Sequence, residues 1–354
     1  MNDMAKLVKS RIAYLQWLKA IAIVMVLVCH CCQMVPRVSV ALVLVSTLCF
    51  AGVPVFFMVN GALLLNESLD VRKHVRRTAR FFVLCQLWAV IVDVINYLEY
   101  KPVVSFSVSW IVRYFMGDTE IPNTGHLWYL RVLVTVYVLF PALKELYDRH
   151  YRYFCGLLAV LFVATFCVNS LNFVLEESNA GFSVDAQQWT LFAERAGACT
   201  FFFGLGGSVH RVFYVSGERA RIVPAVLCAG LGAIGIEWAK AVSSGMDRGL
   251  MVLPYAYYRV ATAFLTVGVV LLVLIFFGRK STVVNRFVDY LGSNTLGVYF
   301  VHMLWLLPVR TILRYLIADR GSLSWTCVET SFVLALSVLT VETMKRLPLA
   351  KRLV

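Results

Sequence analysis

Charged residues are scarce in this 354-residue chain: Asp, Glu, Lys and Arg make up 15% of it, whereas a soluble domain has about 25%. Hydrophobic residues make up 60%, and the mean hydropathy is +0.77. A composition this apolar excludes a water-soluble globule, a disordered protein and a coiled coil. It predicts a polytopic membrane protein.

Acidic residues are the scarcer charges: 20 Asp and Glu stand against 33 Lys and Arg, a formal net charge of +13. Strongly basic proteins often bind nucleic acid, but in membrane proteins Lys and Arg collect in cytoplasmic loops. Of the 33, we assign 21 to one set of alternate loops and span ends and eight to the other, and the remaining four, Lys19, Arg131, Arg195 and Arg259, to the interiors of spans. The sparser set, assigned to outside loops, includes Lys240, Arg310, Arg314 and Arg320. The charge thus predicts cytoplasmic termini and no nucleic-acid partner.

The sequence predicts no signal peptide, and we find no tandem repeat, low-complexity tract or linker in it. The first apolar run is long enough to span a membrane, and no small-residue cleavage site follows it. One domain is therefore predicted over residues 1–354. The ten cysteines lie mostly in apolar stretches, as Cys85, Cys155, Cys167 and Cys228 do. Cysteines there are expected to behave as small buried hydrophobes, which argues against a disulfide framework.

Long apolar runs are abundant. A helix needs about 20 mostly apolar residues to cross the hydrocarbon core, and these runs are too long and continuous for the strands of a membrane barrel. The predicted fold is an all-α integral membrane bundle of about ten transmembrane helices. The ten stretches are 13–35, 38–65, 79–99, 126–147, 152–175, 189–210, 222–240, 250–278, 287–316 and 325–343. A shorter segment, 103–116, is expected along the outer interface.

Ionisable residues inside spans are costly and usually functional. Lys19 and His30 share the first span, about 16 Å apart along a helix and about 20° apart around its axis, so they face one side. Lys19 could instead snorkel to the inner headgroups, and His30 could be a hydrogen-bonded packing residue. The neighbouring Cys29, Cys31 and Cys32 point in different directions on one helix, so no metal site is predicted.

A dense basic run precedes the third span, and within it Arg77 and Arg80 share one helical face. The planar guanidinium fork suits phosphate. The run could equally be a positive-inside anchor on lipid phosphates. Spacing leaves both interpretations open.

Further polar residues fall at mid or outer depth. His126 and Trp128 open the fourth span, and His302 lies in the outer half of the ninth. Trp128 could belong to an interfacial aromatic belt or bind a sugar ring. Five charged residues also fall at mid or outer depth, and some of them are expected to form ion pairs that hold the bundle together. They are Asp93, Glu194, Arg195, Glu237 and Arg259. The basic residues at the inner mouth suit a phosphorylated donor from the cytoplasm, and the polar cluster at outer depth suits an acceptor in the outer leaflet.

Five segments in order resemble the integral-membrane acyltransferase 3 family. They are Lys19 with His30 eleven residues later, Phe56-Phe57 with Gly61, Arg77-Thr78-Ala79-Arg80, His126-Leu127-Trp128-Tyr129-Leu130, and Tyr299-Phe300-Val301-His302. Asn60 stands where the family usually has Ser, and Lys19 replaces the commoner Arg. The resemblance runs nearly the whole chain.

The resemblance implies an O-acyltransferase, most often an O-acetyltransferase, of the bacterial cytoplasmic membrane. It implies acyl-CoA, usually acetyl-CoA, as donor and a surface glycan or glycolipid as acceptor. His30 is the expected base or acyl carrier, with Lys19 positioning the donor or polarising its carbonyl. Arg77 and Arg80 are expected to hold CoA phosphates, and the pantetheine arm to reach past Lys19 towards His30.

His126, Trp128 and His302 are expected to line the outer acceptor site. Many relatives carry an extracytoplasmic hydrolase-like domain. This chain ends soon after the tenth predicted span, so it is expected to work alone or to pass its acyl group to a separate extracytoplasmic protein.

Two other classes compete. A transporter or flippase of a glycan or lipid-linked sugar predicts broken helices at mid-depth, and Gly204, Gly206 and Gly207 could mark a break. A membrane sensor or scaffold predicts no chemistry, but it leaves the common depth of His30, His126 and His302 unexplained.

Overall fold

The computed structural model describes residues 12–32, 40–100, 125–184, 195–243, 256–278, 286–316 and 322–353. The predicted interfacial segment 103–116 lies outside these ranges, as does Glu194. Basic residues of the first loop, Lys6, Lys9 and Arg11, lie outside them too.

Secondary structure in the described ranges is helical, without a strand. Two π-helical turns interrupt the α-helical geometry, at Phe162–Cys167 and at His210–Val215. The helices are α1 (Ala13–Cys32), α2 (Val40–Cys49), α3 (Gly52–Leu64), α4 (Val71–Tyr100), α5 (Trp128–Arg149), α6 (Tyr151–Leu161), α7 (Val168–Glu177), α8 (Arg195–Val209), α9 (Ile222–Ser243), α10 (Val260–Phe277), α11 (Arg286–Ser293), α12 (Thr295–Leu316) and α13 (Leu323–Arg346).

Eight helical stretches among the described residues are long and apolar enough to cross a membrane. They match eight of the ten predicted spans. The other two predictions, 126–147 and 189–210, coincide with α5 and α8, which are helical but fall outside that set. The all-α membrane bundle is confirmed, and the number ten stays a prediction.

Large apolar side chains project outward from several of these helices. On α9, for example, Leu227, Leu231 and Ile234 are 57%, 60% and 67% exposed. A soluble protein rarely exposes so continuous an apolar face. Lipid is the solvent that such a surface fits.

Some cysteines also lie on the outer, apolar surface of the helices. All ten are free thiols. Of the four expected to be buried, only Cys85 is; Cys155 is exposed, and Cys167 and Cys228 are half-buried. The burial prediction is wrong for those three because an apolar side chain that faces lipid needs no protein around it.

Two predicted spans are interrupted. The stretch 38–65 bends at Phe50–Ala51, between α2 and α3. The stretch 287–316 is broken at Asn294, whose backbone N–H donates to the Leu291 carbonyl and whose side chain donates to the Tyr290 carbonyl, at 3.1 and 2.7 Å. One continuous helix over 287–316 is therefore a wrong prediction, because hydropathy does not register a polar residue that satisfies the backbone at a helix end.

The chain forms two compact units. One comprises the described residues of Met1–Asn66 and Gly156–Arg352, and it contains α1, whose neighbours include α3, α11 and α13. The other comprises those of Glu67–Cys155, with α4 and α5.

Glycines allow a very close helix contact in the first unit, where α3 crosses α8. A Cβ added to Gly61 would lie 1.7 Å from the Phe203 carbonyl oxygen, and one added to Gly206 would lie 2.0 Å from the Met58 carbonyl oxygen. Small residues allow such approach between membrane helices. Gly204, Gly206 and Gly207, which could mark a helix break in a transporter, lie within α8, which runs without interruption from Arg195 to Val209.

Candidate active site

His30 lies in the last turn of α1 and is half-buried. Its ring centroid is 5.3 Å from that of His302 on α12, and the ring planes are tilted by 39°. Two predicted site residues that are far apart in sequence therefore meet in the first unit. An imidazole gains and loses a proton near neutral pH more readily than any other side chain, so this contact provides a proton acceptor.

His302 is fully buried, and Tyr299 is 4% exposed. His302 Nδ1 lies 2.6 Å from the backbone carbonyl oxygen of Tyr299. Because a carbonyl oxygen only accepts, Nδ1 carries the hydrogen, and Nε2 holds the lone pair of the neutral ring. The Tyr-x-x-His spacing thus fixes the tautomer of His302 through one helical backbone contact.

Lys19 is half-buried on the same uninterrupted helix as His30. Helical geometry places the two Cα atoms about 16 Å apart. The structure thereby keeps the predicted arrangement of a cationic residue near one end of α1 and an imidazole near the other.

In the second unit, the basic run forms the first turns of α4. Arg77 and Arg80 are both exposed. His74 of the same run is buried, and its Nε2 is 2.7 Å from the backbone carbonyl oxygen of Tyr137 on α5. The residues of the basic run therefore differ in role: His74 joins α4 to α5, whereas Arg77 and Arg80 stay accessible to an anion.

His126 and Trp128 lie at the start of α5. His126 is buried in the 3-10 turn Gly125–Leu127, and Trp128 is the first, half-buried residue of the helix. Both positions are at a helix end, as the sequence predicts.

Two cations assigned to outside loops are instead buried on helices. Arg310 lies on α12 and pairs with Glu329 of α13, with Nε 2.7 Å from Oε1. Lys240 lies on α9 and pairs with Glu237 at 3.3 Å. The loop assignment is wrong for both, and for Arg314, which also lies on α12. The available signal was a glutamate that could pair with each cation: Glu237, three residues before Lys240 in the same predicted span, and Glu329 in the span after that of Arg310, since a buried charge needs a partner.

Glu237 is also one of the residues expected in ion pairs, and it forms one. Arg259 of that set places its guanidinium 3.8 Å from the centroid of the Phe173 ring, a cation–π contact.

These observations define a multi-pass membrane protein of packed helices in which half-buried His30 contacts buried His302. A family model described as the acyltransferase domain of the acyltransferase 3 type matches residues 12–342. The chain belongs to this family and is a membrane acyltransferase. No curated protein and no solved structure matches it significantly.

Proposed function

We propose that the chain is an O-acetyltransferase that moves the acyl group of cytoplasmic acetyl-CoA to a hydroxyl of a surface glycan or glycolipid. The observation that supports this most is the contact between His30 and His302, with ring centroids 5.3 Å apart, in a member of an acyltransferase family. An alcohol attacks a thioester only slowly unless a base removes its proton. The imidazole pair supplies that base.

The reaction needs one proton transfer in each direction. His30 accepts the proton of the acceptor hydroxyl while the hydroxyl oxygen forms a bond to the thioester carbonyl carbon. The carbon–sulfur bond then breaks, and the imidazolium returns the proton to the leaving CoA thiolate. The other course consistent with the residues is that His30 carries the acyl group itself.

His302 supports this chemistry through its fixed tautomer. Its Nε2 is an acceptor in the neutral ring because Nδ1 donates to the Tyr299 carbonyl. His302 is proposed to bind the acceptor, and the same role is proposed separately for His126 and Trp128. Lys19 is proposed to position the donor or to polarise its carbonyl oxygen.

Arg77 and Arg80 are proposed to bind the phosphates of the donor. Both side chains are exposed on α4, one helical turn apart, so both forks can engage a dianionic group. We place them, with both termini, on the cytoplasmic side of a bacterial inner membrane. This orientation rests on the excess of Lys and Arg in one set of loops.

The donor site can be tested with Arg77→Ala/Arg80→Ala. We expect the Kd for CoA to rise at least tenfold and to depend less on salt, because screening acts on charge contacts. The measurement is CoA binding to purified protein across a salt series. Arg72→Ala/Arg76→Ala removes the same charge from the same exposed run and serves as the control. Equal losses in the two double variants would reduce the assignment to a general electrostatic effect.

The acceptor and the acyl group are tested together by mass spectrometry of surface glycans from cells with and without the gene. We expect loss of one acetyl group per modified unit when the gene is absent. Substrate-dependent glycan flux without CoA consumption would instead favour a transporter. Mass spectrometry of envelope proteins from the same cells would reveal a separate extracytoplasmic acyl acceptor protein as a gene-dependent protein-linked acetyl group.

A further inference from the structure

Arg310 and Glu329 form a buried ion pair between α12 and α13. Their side chains are 4% and 0% exposed. Two contacts join them: Nε to Oε1 at 2.7 Å and Nη2 to Oε2 at 3.2 Å. This is the two-pronged geometry that only arginine offers a carboxylate.

A third contact links the pair to the predicted catalytic helix. Arg310 Nη2 also donates to the backbone carbonyl oxygen of Cys31, at 3.0 Å. Cys31 directly follows His30 and belongs to the last turn of α1. The carbonyls of that turn have no partner within the helix, so Arg310 acts as a cap supplied by another helix. Its positive charge also suits the negative end of the α1 dipole.

Stability alone is a poor explanation for such a pair. Desolvating two charges usually costs as much as their attraction returns, and apolar replacements of buried pairs are often neutral or stabilising. What the pair provides that apolar side chains do not is a directed donor at the end of α1. His302, the contact partner of His30, lies on the same helix as Arg310. The cap therefore ties α1 to the helix that carries the second imidazole.

We propose that Arg310, held by Glu329, is a positioning residue that fixes the last turn of α1 and so sets the His30 ring against His302. Arg310 touches no reacting atom in this role. It acts through the Cys31 carbonyl, and Glu329 acts by orienting the guanidinium. The inference rests on the proposed catalytic role of His30.

The test is the double variant Arg310→Met/Glu329→Met, which removes both charges and leaves side chains of similar bulk. We expect kcat to fall about 100-fold, the size of loss that misplacement of a reacting group by about 1 Å produces. KM for the acyl donor should stay unchanged, and the melting temperature should stay close to that of the wild type. Hydrogen exchange of peptides covering residues 24–32 should quicken in the same variant.

Lys240→Met/Glu237→Met is the matched control. It removes a second ion pair of the first unit, between buried Lys240 and half-buried Glu237, in which the Lys240 ammonium donates to the Val43 carbonyl on α2 at 3.2 Å. It should leave kcat as in the wild type. Unchanged kcat and exchange in the Arg310 and Glu329 double variant would overturn the proposal.

If the double variant fails to accumulate, Arg310→Lys tests whether Arg310 positions the last turn of α1. A lysine ammonium keeps the charge but loses the fork that reaches Glu329 and the Cys31 carbonyl together. A lower kcat with unchanged KM and faster exchange supports the role, and wild-type kinetics overturn it. Exchange at residues 24–32 is measured without substrate, so it separates failure of this inference from failure of the proposed acyl transfer.

Discussion

His30→Ala should abolish acyl transfer in membranes supplied with labelled acetyl-CoA and the acceptor glycan. A positioned general base contributes about 100-fold to 10,000-fold to a rate, and an acyl carrier would contribute no less. His30→Gln should lose as much activity, because an amide has similar size and hydrogen-bonding capacity but cannot take the proton. Binding of CoA to Arg77 and Arg80 should persist in both variants.

The control for this experiment is His150→Ala. His150 is an exposed histidine at the end of α5, so the same substitution there should leave transfer unchanged. Undiminished transfer by the His30 variants would eliminate His30 as base and as carrier. The His302 ring, 5.3 Å away, would then be the next candidate.

Gly61→Ala should strongly destabilise the packing of the first unit, although it adds only one methyl group. The new Cβ would lie 1.7 Å from the Phe203 carbonyl oxygen, and a backbone atom inside a helix cannot move aside as a side-chain tip can. Overpacking usually costs about 1–3 kcal/mol, and more where the surroundings are rigid, so we expect at least the upper end of that range. The measurement is the yield and melting temperature of protein extracted in detergent.

Gly230→Ala is the matched control for Gly61→Ala. Gly230 lies within α9, and a Cβ built there meets nothing within 4 Å. Alanine is a better helix former than glycine by about 1 kcal/mol, so this variant should melt at the same temperature as the wild type or higher. A Gly61→Ala protein as stable as Gly230→Ala would mean that α3 and α8 do not cross as closely as described.

The sequence alone predicted the helical class and most of the spans. Unpaired backbone groups and charges have a high free energy in lipid, so a spanning segment must be helical and apolar, and both properties can be recognised in the sequence. It also placed His30 and His302 at a common depth. It did not predict the break at Asn294 or the burial of Arg310 and Lys240. Those depend on partners supplied by other segments, such as Glu329, and a hydropathy profile contains no information about which segments are neighbours.

Gly61 illustrates the same limit. The motif Phe56-Phe57 followed by Gly61 could be recognised as a family pattern, but its physical reason is the Phe203 carbonyl of α8. The contact of His30 with His302 is similar: depth made it plausible, and only the packed helices show the rings side by side.

Pro308 lies within α12, between His302 and Arg310. A proline has no N–H to give to the carbonyl four residues earlier, so the segment bearing the imidazole and the segment bearing the guanidinium are joined by one hydrogen bond fewer. We therefore expect the angle between the two halves of α12 to vary more easily than in a helix without proline. Glu329 and the Cys31 carbonyl contact Arg310 on the C-terminal side of Pro308. We therefore expect neighbouring helices to set the angle between the two halves of α12, and substitutions on α13 that do not contact the histidines to change it.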